Sequence, residues 1–427
     1  MNTEYINIPS ATLLDPSNHP ETHNNPNTRN NPNTRNDSEK YSLKSHDCSL
    51  TASMTLDWHI VVLSLSLLSV GLIMVASSSM EYAVGLYSDP WFFTKRHAMY
   101  LLIGLTASLF MLSMPTYLWH RYSWLLFIAA VLLLMLVLVP GVGRRVNGSQ
   151  RWLQLGPMTL QVSELVKLFS IIFFANYFSN CQQSLRTHWQ SFCKPVLLLL
   201  ILIGLLLLEP DFGGALVLGT TIGAMLFLAG AKLWQCLLLL LSAGSALFVL
   251  AVFVPYRFKR LQTFLDPWQD QFDSGYQLTQ SLIAFGRGEW FGLGLGNSIQ
   301  KLLYLPEAHT DFIFAIYAEE FGFVGVVLLF SLFIALLIKV FLISRRAFAA
   351  SDVFKGLAVF GVGVLLTIQV LINIGVTSGF MPTKGLTLPL VSYGGSSLLA
   401  SCLLIAMVLR MDYDLKSKVI HLAKRAL

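Results

Sequence analysis

The chain has 427 residues, of which 55% are hydrophobic and only 12% charged, with a formal net charge of +6. That composition excludes a soluble globular protein, whose surface would be too apolar to wet. Apolar runs near the roughly 20 residues that span a bilayer recur along the chain, which makes it a polytopic membrane protein. The basic balance does not point to nucleic acid. The Lys and Arg residues fall between apolar runs, where they set orientation or meet lipid phosphates.

Residues 1–55 are polar and carry a tandem repeat, NNPNTR at 24–29 and again at 30–35. A segment this rich in Asn, Pro and Thr cannot bury a core, so a disordered cytoplasmic tail is expected. It is no signal peptide, since the first apolar run begins only near Trp58. Apolar runs then fall at about 58–77, 98–114, 122–140, 163–180, 195–208, 212–231, 234–254, 312–343, 354–378 and 388–410. They predict an all-α membrane domain of about ten transmembrane helices over 56–412, followed by a basic cytoplasmic tail at 413–427. The fifth run is short and ends at Glu209-Pro210-Asp211, so runs five and six are alternatively a re-entrant pair.

With both termini inside, the inner connections carry Arg121, Arg186, Lys194, Lys232, Arg345, Arg346 and Lys355. The outer side is also basic, with Lys95, Arg96, Arg144, Arg145, Arg151, Arg257, Lys259, Arg260, Arg287, Lys301 and Lys384. Cations in excess there suggest an anionic ligand. The longest connection, about 255–310, forms a large extracytoplasmic loop between helices seven and eight. Its glycines and aromatics, including Trp268, Phe272, Trp290 and Phe291, predict an ordered loop that hugs the interface. The five cysteines (Cys48, Cys181, Cys193, Cys236 and Cys402) have no metal-ligand spacing, and none falls in an outer loop, so no disulfide framework is expected.

Four parts of the chain deliver acids and bases to the outer level of the membrane. They are QVSELVK, EPD at 209–211, PEAHTD at 306–311 and MPTKGLTLP around Lys384, next to the outer loop GRRVNGSQRWLQLGP. Glu164 and Lys167 are spaced i, i+3 on one helix face and can form an ion pair. Asp311 opens a helix, where capping alone would suit an acid, yet capping does not account for Glu307 and His309 beside it. Glu319 and Glu320 lie about 12–14 Å deeper along that helix, at 1.5 Å per residue, and are expected to be packing partners. Asn147-Gly148-Ser149 fits a glycosylation sequon, but a plain Asn-Gly turn explains it. SYGGSS (Ser392–Ser397) suits close helix packing. No phosphate-binding loop, dinucleotide fingerprint, HExxH or nucleophile elbow occurs, which argues against ATP-driven transport and metalloprotease chemistry.

The stretches NGSQRWLQLGP, QVSELVKL, EPDFG, GLGLGNSIQKLLYLPEAHTDFIFA and MPTKGLTLPLVSYGGSS resemble the SEDS family (shape, elongation, division and sporulation). The resemblance covers about 58–412, and PEAHTDFIFA, KGLTLP and the polar N-terminal tail resemble the division branch more than the elongation branch. It implies a ten-helix peptidoglycan glycosyltransferase that polymerises lipid II at the division septum, on the outer face of the inner membrane. It also implies a class B penicillin-binding transpeptidase and other divisome proteins as partners. The family's essential acid maps onto Asp311, and its Glu–Lys pair onto Glu164 and Lys167. The family often has Pro where this chain has Val162, which bears on how that helix is entered.

Glycan polymerisation needs a sugar hydroxyl to attack an anomeric carbon while a lipid pyrophosphate leaves. Asp311 is the candidate general base. Arg151, Lys95, Arg96 and Lys384 are candidates to hold the pyrophosphate, and Glu307 and His309 to contact substrate. A divalent cation, magnesium or manganese, bound through Asp311 could share that task, although no multi-carboxylate pattern demands one. An α-linked donor giving a β-linked product is an inverting substitution without a covalent intermediate. One tension is that a helix N-terminus stabilises a carboxylate and so weakens it as a base. Two other function classes are a lipid II flippase, against which the ionisable groups pool on one side only, and a non-catalytic scaffold, which needs no acids at the interface.

Overall fold

A computed structural model describes residues 56–426, apart from 147–148, 157, 254–262, 274 and 383–384. The predicted N-terminal tail, the Asn147-Gly148 dipeptide, Lys384 and the outer cations Arg257, Lys259 and Arg260 therefore lie outside the described residues.

Each of the ten apolar runs lies on a helix. In chain order the helices are α1 (Trp58–Tyr87), α2 (Phe92–Ser113), the short α3 (Thr116–Arg121) and α4 (Ser123–Leu138). They continue with α5 (Val162–Thr187), α6 (Trp189–Leu208), α7 (Phe212–Leu228), α8 (Leu233–Val252) and α9 (Tyr276–Gly288). The last three are α10 (Ile313–Ala349), α11 (Val353–Thr377) and α12 (Gly395–Ala426). By length and composition six of these can cross a membrane: α1, α2, α5, α6, α10 and α11. α4 and α7 are apolar but shorter, as is the Leu233–Ser242 part of α8. α6 starts at Trp189 and runs through Pro195, and so is longer than its apolar run suggests. The protein is a multi-pass helical membrane protein.

α5 and α11 are the most buried of the long apolar helices. α2 packs along α12, α4 against α5, and α10 against both α11 and α1. α2 and α6 turn large side chains such as Leu109, Phe110, Leu197 and Leu200 outward, as lipid-facing helices do.

Two features modify the helical expectation. The outer loop after α4 folds as a three-stranded antiparallel sheet, β1 (Gly143–Val146), β2 (Ser149–Leu155) and β3 (Met158–Gln161). Its register pairs Val146 with Ser149 and Leu155 with Met158, two tight reversals that give three short strands from one loop. Serines of SYGGSS latch this sheet to the bundle. Gln161 N donates to Ser396 Oγ (2.7 Å), and Ser396 Oγ donates to Thr159 O (3.2 Å). α5 then begins at Val162 with Gln161 as its N-cap, so helix entry proceeds without the proline.

The second feature is the long loop. Residues 276–305 do not simply skirt the surface, because their middle is stitched into a break in α10. Gly322 there has φ 65° and ψ −165°, a conformation that favours glycine. The break frees main-chain groups that an apolar bundle cannot leave unpaired. Leu293 N and Gly294 N donate to Glu319 O (3.0 Å) and Glu320 O (2.9 Å), while Phe323 N and Val324 N donate to Glu289 O (2.9 Å) and Trp290 O (3.1 Å). A Cβ on Gly292 would lie 2.2 Å from Glu320 O, so the first glycine of GLGLG serves this close approach.

Candidate active site

PEAHTD is a compact turn folded onto one carbonyl. Thr310 N and Phe312 N both donate to Glu307 O (3.1 and 3.3 Å), and Thr310 Oγ1 donates to Glu307 Oε2 (2.7 Å). Glu307 takes a left-handed φ of 57°, a strained position for a residue with a side chain. α10 begins only at Ile313, with Phe312 as its N-cap, so Asp311 does not cap the helix. Among the described residues no donor reaches its carboxylate.

Burial, with the Glu307 charge adding to it, pushes the Asp311 carboxyl up to about 7, against a smaller downward pull from Arg151. This resolves the sequence-level tension. A carboxylate fixed by helix N–H groups would be a weak base, whereas one that is desolvated and unpaired is poised near neutrality. Part of Asp311 remains accessible, as a group that must meet substrate requires.

Arg151, half-way along β2, reaches the connection between α6 and α7. Its Nε donates to Glu209 O (3.3 Å) and its Nη2 to Pro210 O (2.5 Å), while Nη1 lies 3.5 Å from Asp211 Oδ1. Asp211 also caps α7 by accepting from Gly214 N (2.9 Å). Glu209 is fully buried, and neither carboxyl oxygen has a partner among the described residues. Burial first, then the Asp211 charge, pushes its carboxyl up to about 8, with Arg151 pulling the other way. That shift favours the protonated form of Glu209 at neutral pH.

The stretch 385–388 completes the enclosure. A Cβ on Gly385 would fall 2.4 Å from Asp311 Oδ2, and one on Gly213 would fall 3.0 Å from Leu386 Cδ2. Sequence reasoning missed Asn373 on α11, whose Nδ2 donates to Asp311 O (2.9 Å) and Leu386 O (2.6 Å). The available signal was one amide side chain near the end of an apolar helix.

His309 is buried among aromatic rings, with centroids 4.8 Å from Phe93, 5.3 Å from Tyr82 and 5.5 Å from Tyr393. Burial lowers its basicity, partly countered by Glu307. Tyr393 N donates to His309 O (3.0 Å) and so ties PEAHTD to the turn before α12. Arg96 sits 5.5 Å above the Phe92 ring and is close enough to Tyr393 to act on its hydroxyl. Lys95 is different. It is exposed, pairs with Asp89 at 2.9 Å, and lines an outward apolar groove with Leu72, Ile73 and Trp91. Phe93 and His97, two residues to either side of Lys95, are the buried ones, so Lys95 points away from that face of α2.

Glu164 and Lys167 form a buried ion pair at 2.8 Å, as their spacing predicted. Glu319 accepts from Ser298 Oγ, Ile299 N (3.2 Å) and Gln300 N (3.3 Å), and lies 3.4 Å from Arg287 Nε. Glu320 pairs with Lys301 at 2.9 Å and accepts from Ser77 Oγ (2.6 Å). Both are packing partners, and Lys301, placed by sequence among the outer cations, is buried beside Glu320. Among the described residues no three His, Cys, Asp or Glu side chains converge to hold a metal ion.

A half-buried carboxyl raised toward neutrality, an arginine across from it and a closed backbone wall make a candidate acid–base site in a multi-pass helical membrane protein. Comparison with known proteins gives that class its family. A profile of the FtsW/RodA/SpoVE cell cycle proteins matches residues 57–417. A probable peptidoglycan glycosyltransferase FtsW from Saccharophagus degradans is 52% identical over 360 residues, 84% of this chain and 93% of that one. The protein of the same name from Coxiella burnetii is 52% identical over 365 residues, 85% and 98% of the two chains. Among solved structures, a peptidoglycan synthase complex that coordinates polymerization and crosslinking matches with a TM-score of 0.68 and 32% identity, over 84% of this chain and 98% of the other. Thermus thermophilus RodA matches with a TM-score of 0.62 and 30% identity, over 84% and 97%. The chain belongs to the FtsW/RodA/SpoVE family.

Proposed function

We propose that this protein polymerises lipid II into glycan strands on the outer face of the inner membrane at the division septum, with Asp311 as general base. The chain is a peptidoglycan glycosyltransferase, on the strength of 52% identity over 84–85% of its length to proteins of that name. The observation that carries the site assignment is the state of Asp311: half-buried, unpaired among the described residues, and raised to about 7.

In the proposed reaction an acceptor sugar hydroxyl approaches the anomeric carbon of the donor. Asp311 takes the hydroxyl proton as the new C–O bond forms and the bond from the anomeric carbon to the lipid pyrophosphate breaks with inversion. The pyrophosphate leaves with its electron pair. Arg151 is the cation placed to meet it, held by two carbonyls and Asp211 so that its charge is fixed before substrate arrives. Arg96 and Lys384 remain candidates for the same phosphates, and Glu307 and His309 for the sugars. Lys95, on the opposite face of α2, suits the lipid portion or a membrane phosphate better. A class B penicillin-binding transpeptidase and other divisome proteins are the proposed partners, with both termini cytoplasmic. The similarity to the synthase complex supports the first of these.

The test supplies labelled lipid II to the purified protein with its transpeptidase. Asp311→Asn is expected to lower polymerisation by about 10²–10⁴-fold, the usual worth of a general base. Its thermal unfolding midpoint should be equal to the parent's or slightly higher, since the substitution removes a poorly solvated acid. Polymer made at the parental rate would remove Asp311 as the base. Lipid crossing vesicle bilayers without polymer would favour a flippase.

A further inference from the structure

Asn373 lies four residues before the C-terminal end of α11 and is almost wholly buried. Its amide donates two hydrogen bonds, to Asp311 O and Leu386 O, which belong to segments 75 residues apart in sequence. Both partners are carbonyls that can only accept, so the NH2 end of the amide must face them. Its Oδ1 is then buried with no partner among the described residues. A buried acceptor without a donor is unfavourable, and an aliphatic side chain here would avoid that cost. The amide joins two loops, and those loops meet at the Asp311 carboxylate, where Gly385 makes its close approach.

We propose that Asn373 is a positioning residue that clamps the Asp311 turn to the Gly385–Leu386 segment and so fixes where the carboxylate stands in the site. The clamp rests on the assignment of Asp311 as base and deepens it. α11 supplies the fixed point because it is among the most buried helices. Leu386 also packs on Gly213, so the same amide sets the distance between the Asp311 turn and the corner that holds Arg151.

The experiment uses the full chain with its transpeptidase and labelled lipid II. Asn373→Ala is expected to lower kcat by about 10–100-fold, the size of effect that a displacement of about 1 Å has on a catalytic group. KM should stay within about threefold of the parent and the unfolding midpoint close to it. Asn373→Asp keeps the shape but, when ionised, sets a carboxylate against two carbonyl oxygens. Protonation returns one donor. Its activity relative to the parent should therefore rise as pH falls from about 8 to about 6, while the same ratio for Asn373→Ala stays flat. Asp311, Glu307, His309, Arg151 and Lys384 are present in all three proteins, so their own titration largely cancels in the ratio.

Parental kcat in Asn373→Ala would overturn the clamp. Should that variant not fold, a pH-independent ratio for Asn373→Asp would overturn it equally. Asp311→Asn measured alongside separates the two ideas. Polymer from that variant overturns the base assignment, whereas an inactive Asp311→Asn beside a fully active Asn373→Ala overturns the clamp alone.

Discussion

Asp311 and the Glu319–Glu320 pair lie eight and nine residues apart in one stretch of chain, and the fold surrounds them oppositely. The deeper carboxylates are buried and partnered, Glu319 by Ser298, two main-chain N–H groups and Arg287, and Glu320 by Lys301 and Ser77. The outer acids are less satisfied. The Asp311 carboxylate accepts nothing among the described residues, and Glu209 is buried with both carboxyl oxygens unpaired there. A partnered carboxylate is stabilised in one ionisation state and holds structure, whereas an unpaired, desolvated one can take up or release a proton near neutral pH. Burial alone does not separate the two sets; partners do.

The comparison is broken most severely at the deep pair. Lys301→Met or Glu320→Leu leaves the other charge buried alone and should cost about 3–5 kcal/mol of stability, read as a lowered unfolding midpoint in detergent. The double substitution should recover most of it. Lost polymerisation with an unmoved midpoint would place Glu320 with the catalytic acids instead. The outer set predicts a pH limb. The proposed base acts in its ionised form, so polymerisation at low lipid II should rise about tenfold per pH unit below about 7 and level off above it. A flat profile from about pH 5 to 8 would contradict the poised carboxyl.

A smaller effect is expected at Glu164–Lys167. Charge reversal of both residues should be milder than either single reversal, by a coupling of about 1–3 kcal/mol. Double damage equal to the sum would mean the pair is not simply structural. The smallest effect belongs to Glu209→Gln, which replaces an acid whose protonated form is favoured at neutral pH by its neutral isostere. Activity at pH 7 should stay within about twofold of the parent. A loss as large as that of Asp311→Asn would show that Glu209 ionises during turnover.

Much of the fold was legible because apolar runs are a direct physical requirement of a bilayer. All ten lie on helices, and the i, i+3 spacing of Glu164 and Lys167 made their pairing local. The β-sheet was harder to see. Its strands are four, seven and four residues long, too short for period-two alternation to stand out, although Asn147-Gly148 and Gly156-Pro157 are turn signals between them. Lys95 and Arg96 looked equivalent as adjacent outer cations. On a helix, neighbouring residues point about 100° apart, so one sits over Phe92 near Tyr393 while the other turns outward to Asp89. The burial of Lys301 was not legible because the dip of the long loop into α10 depends on long-range backbone bonds that leave no periodic trace.

The sequence by itself determined that this is a helical membrane protein whose motifs carry acids and cations at the ends of its apolar runs. Segment hydrophobicity and motif spacing are local properties of the chain. What only the tertiary structure decided is the surroundings of each acid, partnered for Glu319 and Glu320 and without a donor at the carboxylate, among the described residues, for Asp311. Proton affinity depends on desolvation and on partners brought from far away in sequence. In this protein Glu307, Arg151, Asn373 and Gly385 set the surroundings of Asp311, and no window of neighbouring residues contains them all.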